Sequence, residues 1–314
     1  MKKELKVVII GAGSSYTPEL IEGLSEHRNV LPVKEIVLVD INEERLEIMD
    51  GFVHRYCRHL DYDVEISSTT SRQEAFVGAD FIACQIRVGG NKQRIYDEKI
   101  PLKYGVIGQE TTGVGGMFNA LRTIPVMIEI AKDVEKYCPD AWIVNYSNPT
   151  GLVTEAVLKV CHVKMAGLCA GGMRPRWWCE EALEVSEESV YYDYIGLNHM
   201  NFTYNITIDG KPITDEQFSK VAKKCATVSQ DLIHKLRLIP SQYTQYYFHT
   251  SKILSQLKSQ DKTRGEAILE LEKQLRYAQI ENAYLKELRR LRLEDARKMK
   301  EQQESLAVSE ENSN

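Results

Sequence analysis

Two residues in the second half of the chain are of metal-ligating type and stand behind short apolar runs. Cys169 follows residues 165–168, and His199 lies in Gly-Leu-Asn-His-Met-Asn after the strand-like run 191–197. A thiolate and an imidazole suit a borderline divalent transition metal, whose shell would be completed by water and substrate hydroxyls. A buried thiol and a core histidine are the alternative that spacing alone leaves open. Further on, Ile239-Pro-Ser-Gln-Tyr243-Thr-Gln-Tyr246-Tyr247 gathers three tyrosines in five residues. They suit aromatic packing, or one of them could act as a base once a nearby cation lowers a phenol pKa of about 10. Arg87, Arg94 and Arg264 are of the type that grips an anionic group bidentately, or else plain surface residues.

A second signature opens the chain. Residues 5–10 are a β-branched apolar run that fits a strand buried on both faces. Gly11-Ala-Gly13 and Ser14-Ser15 follow, then a helix over 18–26 and a second strand over 35–39 that ends in Asp40. The glycines permit a tight turn and close approach of a pyrophosphate to a helix N-terminus, where free N–H groups favour anions. Asp40 is placed to accept the ribose hydroxyls and to repel the 2′-phosphate of NADP, so the expected cofactor is NAD. Tyr16 stands where the fingerprint G-x-G-x-x-G has its third glycine.

Residues 80–86 and 141–146 read as further strands, and 117–136 as a helix that Pro125 should kink. This alternation predicts an α/β fold with a doubly wound, Rossmann-type parallel sheet over 1–165. Ligands of such sheets sit outside the strand C-terminal ends, which singles out Arg87-Val-Gly-Gly90 and Ser147-Asn148-Pro149. Residues 97–116 are rich in glycine and charge and read as a long loop at the substrate site. A net charge of −5 offers no reason for nucleic-acid or membrane binding, and no apolar run nears the roughly 20 residues of a membrane span. Seven scattered cysteines without paired spacing point to reduced thiols and a cytoplasmic location.

Taken in order and spacing, VVIIGAGSSYTPELIEGL, LVDINEERL, QIRVGG, RIYDEKIPLKYGVIGQETTGVGG, NYSNPTG, GLC, GLNHMNF, IPSQYTQYY and KTRGE resemble glycoside hydrolase family 4, the NAD- and metal-dependent 6-phosphoglycosidases. The wording is nearest the 6-phospho-β-glucosidase branch. The resemblance implies that Cys169 and His199 ligate a divalent metal, manganese by expectation. It places Arg94 and Asn148 on the substrate sugar phosphate, Arg264 as a further substrate-binding arginine, Tyr243 as the catalytic base and Glu110 beside it. Gly11, Gly13, Ser14, Asp40 and Arg87 fall to NAD. The implied reaction is hydrolysis of a phosphorylated disaccharide or aryl 6-phospho-β-glucoside by oxidation at C3, loss of the C2 proton, elimination of the aglycone, addition of water and re-reduction. NAD is recycled, unlike anything in the two-carboxylate glycosidases. Intact relatives are expected to be homo-oligomers.

Two departures qualify this. Ala170 stands where β-acting members have Asn and α-acting members Asp, which excludes an α-type acid there. The resemblance stops near residue 275, leaving a partial α+β metal- and substrate-binding domain over 166–275, of the kind shared with lactate dehydrogenase. Residues 276–314 have no Gly or Pro and carry one apolar stripe, Tyr277, Ile280, Tyr284, Leu288 and Leu291. They read as an appended charged helix with a disordered end, resembling a transposase helix. The expectation is a truncated copy with impaired activity and poor solubility. Two other readings stand beside it, an inactive NAD-binding remnant and an NAD-dependent 2-hydroxy-acid dehydrogenase, though no histidine with a partner acid is placed for the latter.

Overall fold

A computed structural model describes residues 4–225 and 227–280. The chain opens with β1 (Leu5–Ile10), α1 (Thr17–Glu26), β2 (Val33–Val39), α2 (Glu43–His59), β3 (Glu65–Thr69), α3 (Arg72–Phe76) and β4 (Phe81–Cys84). It continues with α4 (Gly90–Lys103), α5 (Gly113–Tyr137), β5 (Trp142–Asn145), α6 (Thr150–Val160) and β6 (Lys164–Gly167). The six strands form one parallel sheet in the order β3-β2-β1-β4-β5-β6. The order reverses between β1 and β4, the switch point at which dinucleotides bind in this architecture.

Alternation along β1 builds two cores. Val8 and Ile10 face a cluster with Met127, Ile130 and Val134 of α5 and Val153 and Val157 of α6. Val7 and Ile9 face the opposite cluster, with Ile21 of α1 and Leu46, Met49 and Val53 of α2. A strand segment buried on both faces must be apolar, which is why 7–10 shows no polar alternation, while Lys6 at the less buried start pairs with Glu35. Each fully buried aliphatic side chain here contributes roughly 1.5–3 kcal/mol.

The remainder comprises a 3-10 turn (Ala170–Met173), α7 (Arg174–Leu183), β7 (Val190–Leu197), β8 (Met200–Ile208), β9 (Lys211–Pro212), α8 (Asp215–Ala222), α9 (Gln230–Leu236) and β10 (Ile239–Pro240). A second 3-10 turn (Gln242–Thr244), α10 (Gln245–Phe248), α11 (Thr250–Ser259) and α12 (Arg264–Ile280) follow. β10, β8 and β7 pair antiparallel, with β9 on β8, over a core that includes Cys179, Ile206, Phe218 and Ile233. One compact unit runs to Gly265 and holds both sheets; a second begins at Glu266.

Three expectations change. The segment 97–116 is mostly helical: α4 runs through Lys103, α5 starts at Gly113, and only the residues between them form a loop. Charge hid α4, whose buried residues are Asp97, Glu98 and Pro101 rather than an apolar stripe. Pro125 is carried inside α5, which continues as one helix of 25 residues. Met165 belongs to β6, the sixth parallel strand, so the first sheet ends at Gly167 and Cys169 stands just beyond its C-terminal edge. Among the described residues, no helix is long and apolar enough to cross a membrane.

Candidate functional site

Where β1 ends, the backbone turns at Gly11 with φ +82°, and the N–H groups of Gly11 and Ala12 both donate to the Val39 carbonyl at 2.9 and 3.0 Å. A Cβ on Gly11 would lie 3.0 Å from the Gln85 carbonyl oxygen, at the end of β4. Gly13 donates its N–H to Asp40 Oδ2 at 2.9 Å, and Asp40 Oδ1 accepts from the Asn42 N–H at 2.9 Å. A Cβ on Gly13 would sit 2.9 Å from that Asp40 oxygen and 2.8 Å from Arg45 Cβ. Both glycines are thus demanded by the protein's own packing, and Asp40 is held in place by backbone. The Ser14 N–H donates to the Gly11 carbonyl at 3.1 Å, and Ser14 Oγ accepts from the Tyr16 N–H at 3.2 Å. Helix α1 begins behind Tyr16 with no side-chain cap. The Thr17 N–H donates to the Ser14 carbonyl at 3.1 Å and Pro18 has no N–H, so the positive end of the helix dipole, rather than a row of free amides, is what favours an anion here.

Beyond β4, three predicted residues converge on the carboxylate of a fourth, Glu110. Glu110 Oε2 accepts from Arg87 Nη1 at 2.6 Å and Arg94 Nη1 at 2.9 Å, and Glu110 Oε1 accepts from Asn148 Nδ2 at 3.4 Å. Asn119 Nδ2 ties the Glu110 and Asn148 carbonyls together at 3.1 and 3.2 Å. The Asn148–Pro149 peptide bond is cis. Arg94 Nε also donates to Glu98 Oε1 at 2.8 Å, and the other Glu98 oxygen accepts the Gly265 N–H at 2.7 Å. Arg264 is exposed, whereas Gly265 is buried against Arg94, Ile95 and Glu98 of α4.

The third group comes from three separate elements. Cys169 follows β6, and His199 occupies the two-residue turn between β7 and β8 with φ +64°, a conformation His tolerates better than most residues. Tyr243 sits in the 3-10 turn after β10. Cys169 Sγ and His199 Nε2 are 3.6 Å apart, and the His199 ring lies flat on the Tyr243 ring with centroids 3.7 Å apart. Gly171 lets these rings approach, since a Cβ there would be 2.7 Å from Tyr243 Cε2. Burial pulls the His199 imidazole down to about 4, with the Glu110 charge acting the other way. Its Nδ1 is buried and has no hydrogen-bond partner. Burial pushes the Tyr243 phenol up; the Gln242 hydrogen bond and the Arg174 guanidinium pull it down. Burial outweighs the lowering effect of Arg174, so the net direction for the phenol is up. Among the described residues, no cluster of three or more His, Cys, Asp or Glu could hold a metal; Cys169 and His199 would offer one only two donors.

Residues 6–177 match the family model described as Family 4 glycosyl hydrolase, and residues 194–310 match Family 4 glycosyl hydrolase C-terminal domain. The chain belongs to glycosyl hydrolase family 4. It is 41% identical over 291 residues to a probable 6-phospho-beta-glucosidase of Bacillus subtilis, covering 88% of this chain and 66% of that one. It is 39% identical over 293 residues to the 6-phospho-beta-glucosidase of Escherichia coli, covering 88% and 65%. The 6-phospho-beta glucosidase of Thermotoga maritima, solved with manganese, NAD+ and glucose-6-phosphate, superposes with a TM-score of 0.80 at 34% identity over 88% of this chain and 68% of that one. The chain thus spans slightly less than two thirds of the curated relatives' length. The C-terminal-domain match runs to residue 310, past residue 275 where the family resemblance was expected to stop; its part from 281 on, with Tyr284, Leu288 and Leu291, lies outside the described residues.

Sequence reasoning overlooked Glu98, Asp97 and Arg174. Asp97 and Arg122 form a two-pronged pair at 3.0 and 2.5 Å between α4 and α5, and Arg174 lies over the Trp177 ring at 4.9 Å. The signal for the first two was the acidic pair in Tyr-Asp-Glu-Lys, which stood in a segment read as a loop at the substrate site and gave no sign of its arginine partners.

Proposed function

We propose that this protein hydrolyses 6-phospho-β-glucosides with the help of NAD and a divalent metal ion. The observation that carries the reading is the meeting of Cys169, His199 and Tyr243 at the C-terminal edge of a dinucleotide-type sheet. The residues fit a metal: a sulfur and an imidazole nitrogen 3.6 Å apart have the spacing of two ligands on one ion at bond lengths of about 2.1–2.3 Å. They fit NAD as well, through the Gly11 and Gly13 turn, the uncapped α1 terminus and Asp40. When bound, NAD supplies a reversible hydride acceptor and the metal a Lewis acid.

The chain's own residues then have defined tasks. Asp40 holds the ribose, with Ser14 and Arg87 on the cofactor side. Arg94, Asn148 and Arg264 orient the sugar phosphate. Tyr243 takes the proton from C2, and Glu110 fixes Arg87, Arg94 and Asn148 around the substrate. Cys169 and His199, buried or partly so, keep bulk water from the reacting face.

The test is cleavage of p-nitrophenyl 6-phospho-β-glucoside by the purified chain with NAD, Mn²⁺ and a thiol reductant, omitting each in turn. Release of nitrophenol that needs both NAD and metal, with no net NADH, is expected. Cleavage indifferent to NAD, or NADH accumulating mole for mole, would overturn the proposal.

A further inference from the structure

Glu98 is buried, at 5% exposure, yet belongs to neither the cofactor group nor the metal group. Its two oxygens are divided between distant parts of the chain. Oε1 accepts from Arg94 Nε at 2.8 Å, one helical turn away, and Oε2 accepts from the backbone N–H of Gly265 at 2.7 Å, across 167 residues of sequence. The contact is close-fitting, because a Cβ on Gly265 would stand 3.0 Å from Glu98 Oε2, 3.1 Å from Ile95 Cγ1 and 3.3 Å from Arg94 Cγ. That N–H belongs to the first turn of α12, whose amides have no partner within the helix. A carboxylate is the one side chain of this length that can accept from both donors at once, and charge-assisted bonds of this kind are the stronger sort.

Resting on the reading of Arg94 and Arg264 as phosphate-orienting residues, we infer that Glu98 is the positioning residue that locks the Arg264–Gly265 segment onto α4 and so sets the spacing of these two arginines. Glu98 touches no substrate; it acts through Arg94 Nε and through the backbone beside Arg264. Gln in its place keeps the shape but has one acceptor oxygen, and its amide turns a donor toward a donor on one side or the other. Losing either bond frees one arginine from the other while the NAD turn, built on β1 and β2, stays as it is.

The experiment measures dissociation constants of glucose 6-phosphate and of NAD by calorimetry on the full chain and on Glu98→Gln and Glu98→Asp. The expected result is a loss of glucose 6-phosphate affinity of at least about tenfold in Glu98→Gln, with NAD affinity within about twofold. Glu98→Asp should fall between, since it keeps the charge and loses reach. Where catalysis is followed, KM for a 6-phosphoglucoside should rise with kcat nearly kept, a split that general loosening of the fold would not produce. Equal glucose 6-phosphate affinity in all three proteins overturns the inference alone. Parallel loss of NAD and sugar-phosphate binding also overturns it, since Glu98 would then be a general support of the fold. An unaltered chain that binds NAD but no glucose 6-phosphate overturns the substrate reading first, and the inference with it.

Discussion

The imidazole of His199 lies on the phenol ring of Tyr243 with only 7° between their planes, while its Nε2 faces Cys169 Sγ. One residue therefore links the ligand pair to the proposed base. A ring stacked this closely cannot swing out without moving Tyr243, so in the proposed reading a metal at His199 would be coupled to the position of the base.

Tyr243→Phe keeps the stack and removes only the hydroxyl. Turnover of a 6-phospho-β-glucoside should fall by about 10²- to 10⁴-fold, with NAD affinity and Tm unchanged. Exchange of the C2 deuteron with solvent, followed by NMR, should slow in parallel. Retained exchange would assign the proton to another group.

Gly13→Ala places a methyl 2.9 Å from Asp40 Oδ2. The clash pushes Asp40 off its backbone partner, and overpacking of this kind costs about 1–3 kcal/mol. NAD binding should weaken by roughly 5- to 150-fold by that measure, read by fluorescence titration. Metal binding at Cys169 should not change.

Of the seven cysteines, six are buried and Cys169 alone is partly open. Burial pushes Cys84 up to about 12, and Cys138 and Cys179 up to about 11. Iodoacetamide on the folded protein should modify Cys169 first, and Mn²⁺ should protect it; mass spectrometry of the peptides decides. The same shifts have a stability consequence. The folded state keeps protons that the unfolded thiols release near 9, so these three contribute stability below pH 9 that is lost as pH rises from about 9 toward 11–12. Urea midpoints across that window should decline.

Glu110→Ala removes the shared partner of Arg87 and Arg94, leaving the largely buried Arg94 guanidinium one carboxylate short. A loss of about 2–4 kcal/mol in unfolding free energy is expected, measured by denaturant titration. A change under about 0.5 kcal/mol would class the pair as a surface bridge.

The parallel sheet was legible because strands covered on both faces must be apolar where they are buried, and 7–10, 81–84 and 142–144 are uninterrupted apolar runs. The glycine turn after β1 was legible because Gly11 and Gly13 are bound to their spacing from Asp40 by backbone contacts. Helix α4 was not, because its inward positions 97 and 98 are acids neutralised by Arg122 and Arg94, partners no local pattern reveals. The glycines at 115 and 116 suggested a loop for a similar reason. They are helical and small because a Cβ would strike the carbonyls of Asp97, Gln109 and Thr111. Cys169, His199 and Tyr243 could be named singly, but their meeting depends on the β7–β8 hairpin and the turn after β10, and no spacing along the chain encodes that.

The bridge from Glu110 to Arg94 means that the proposed phosphate groove already carries its own counter-anion. An incoming ligand does not meet bare cations; it must trade places with, or outbid, a tethered carboxylate. Such a groove works by exchange. It ignores weakly charged sugars, for which a swap gains nothing, and yields to a dianion that brings more negative charge than the protein has installed.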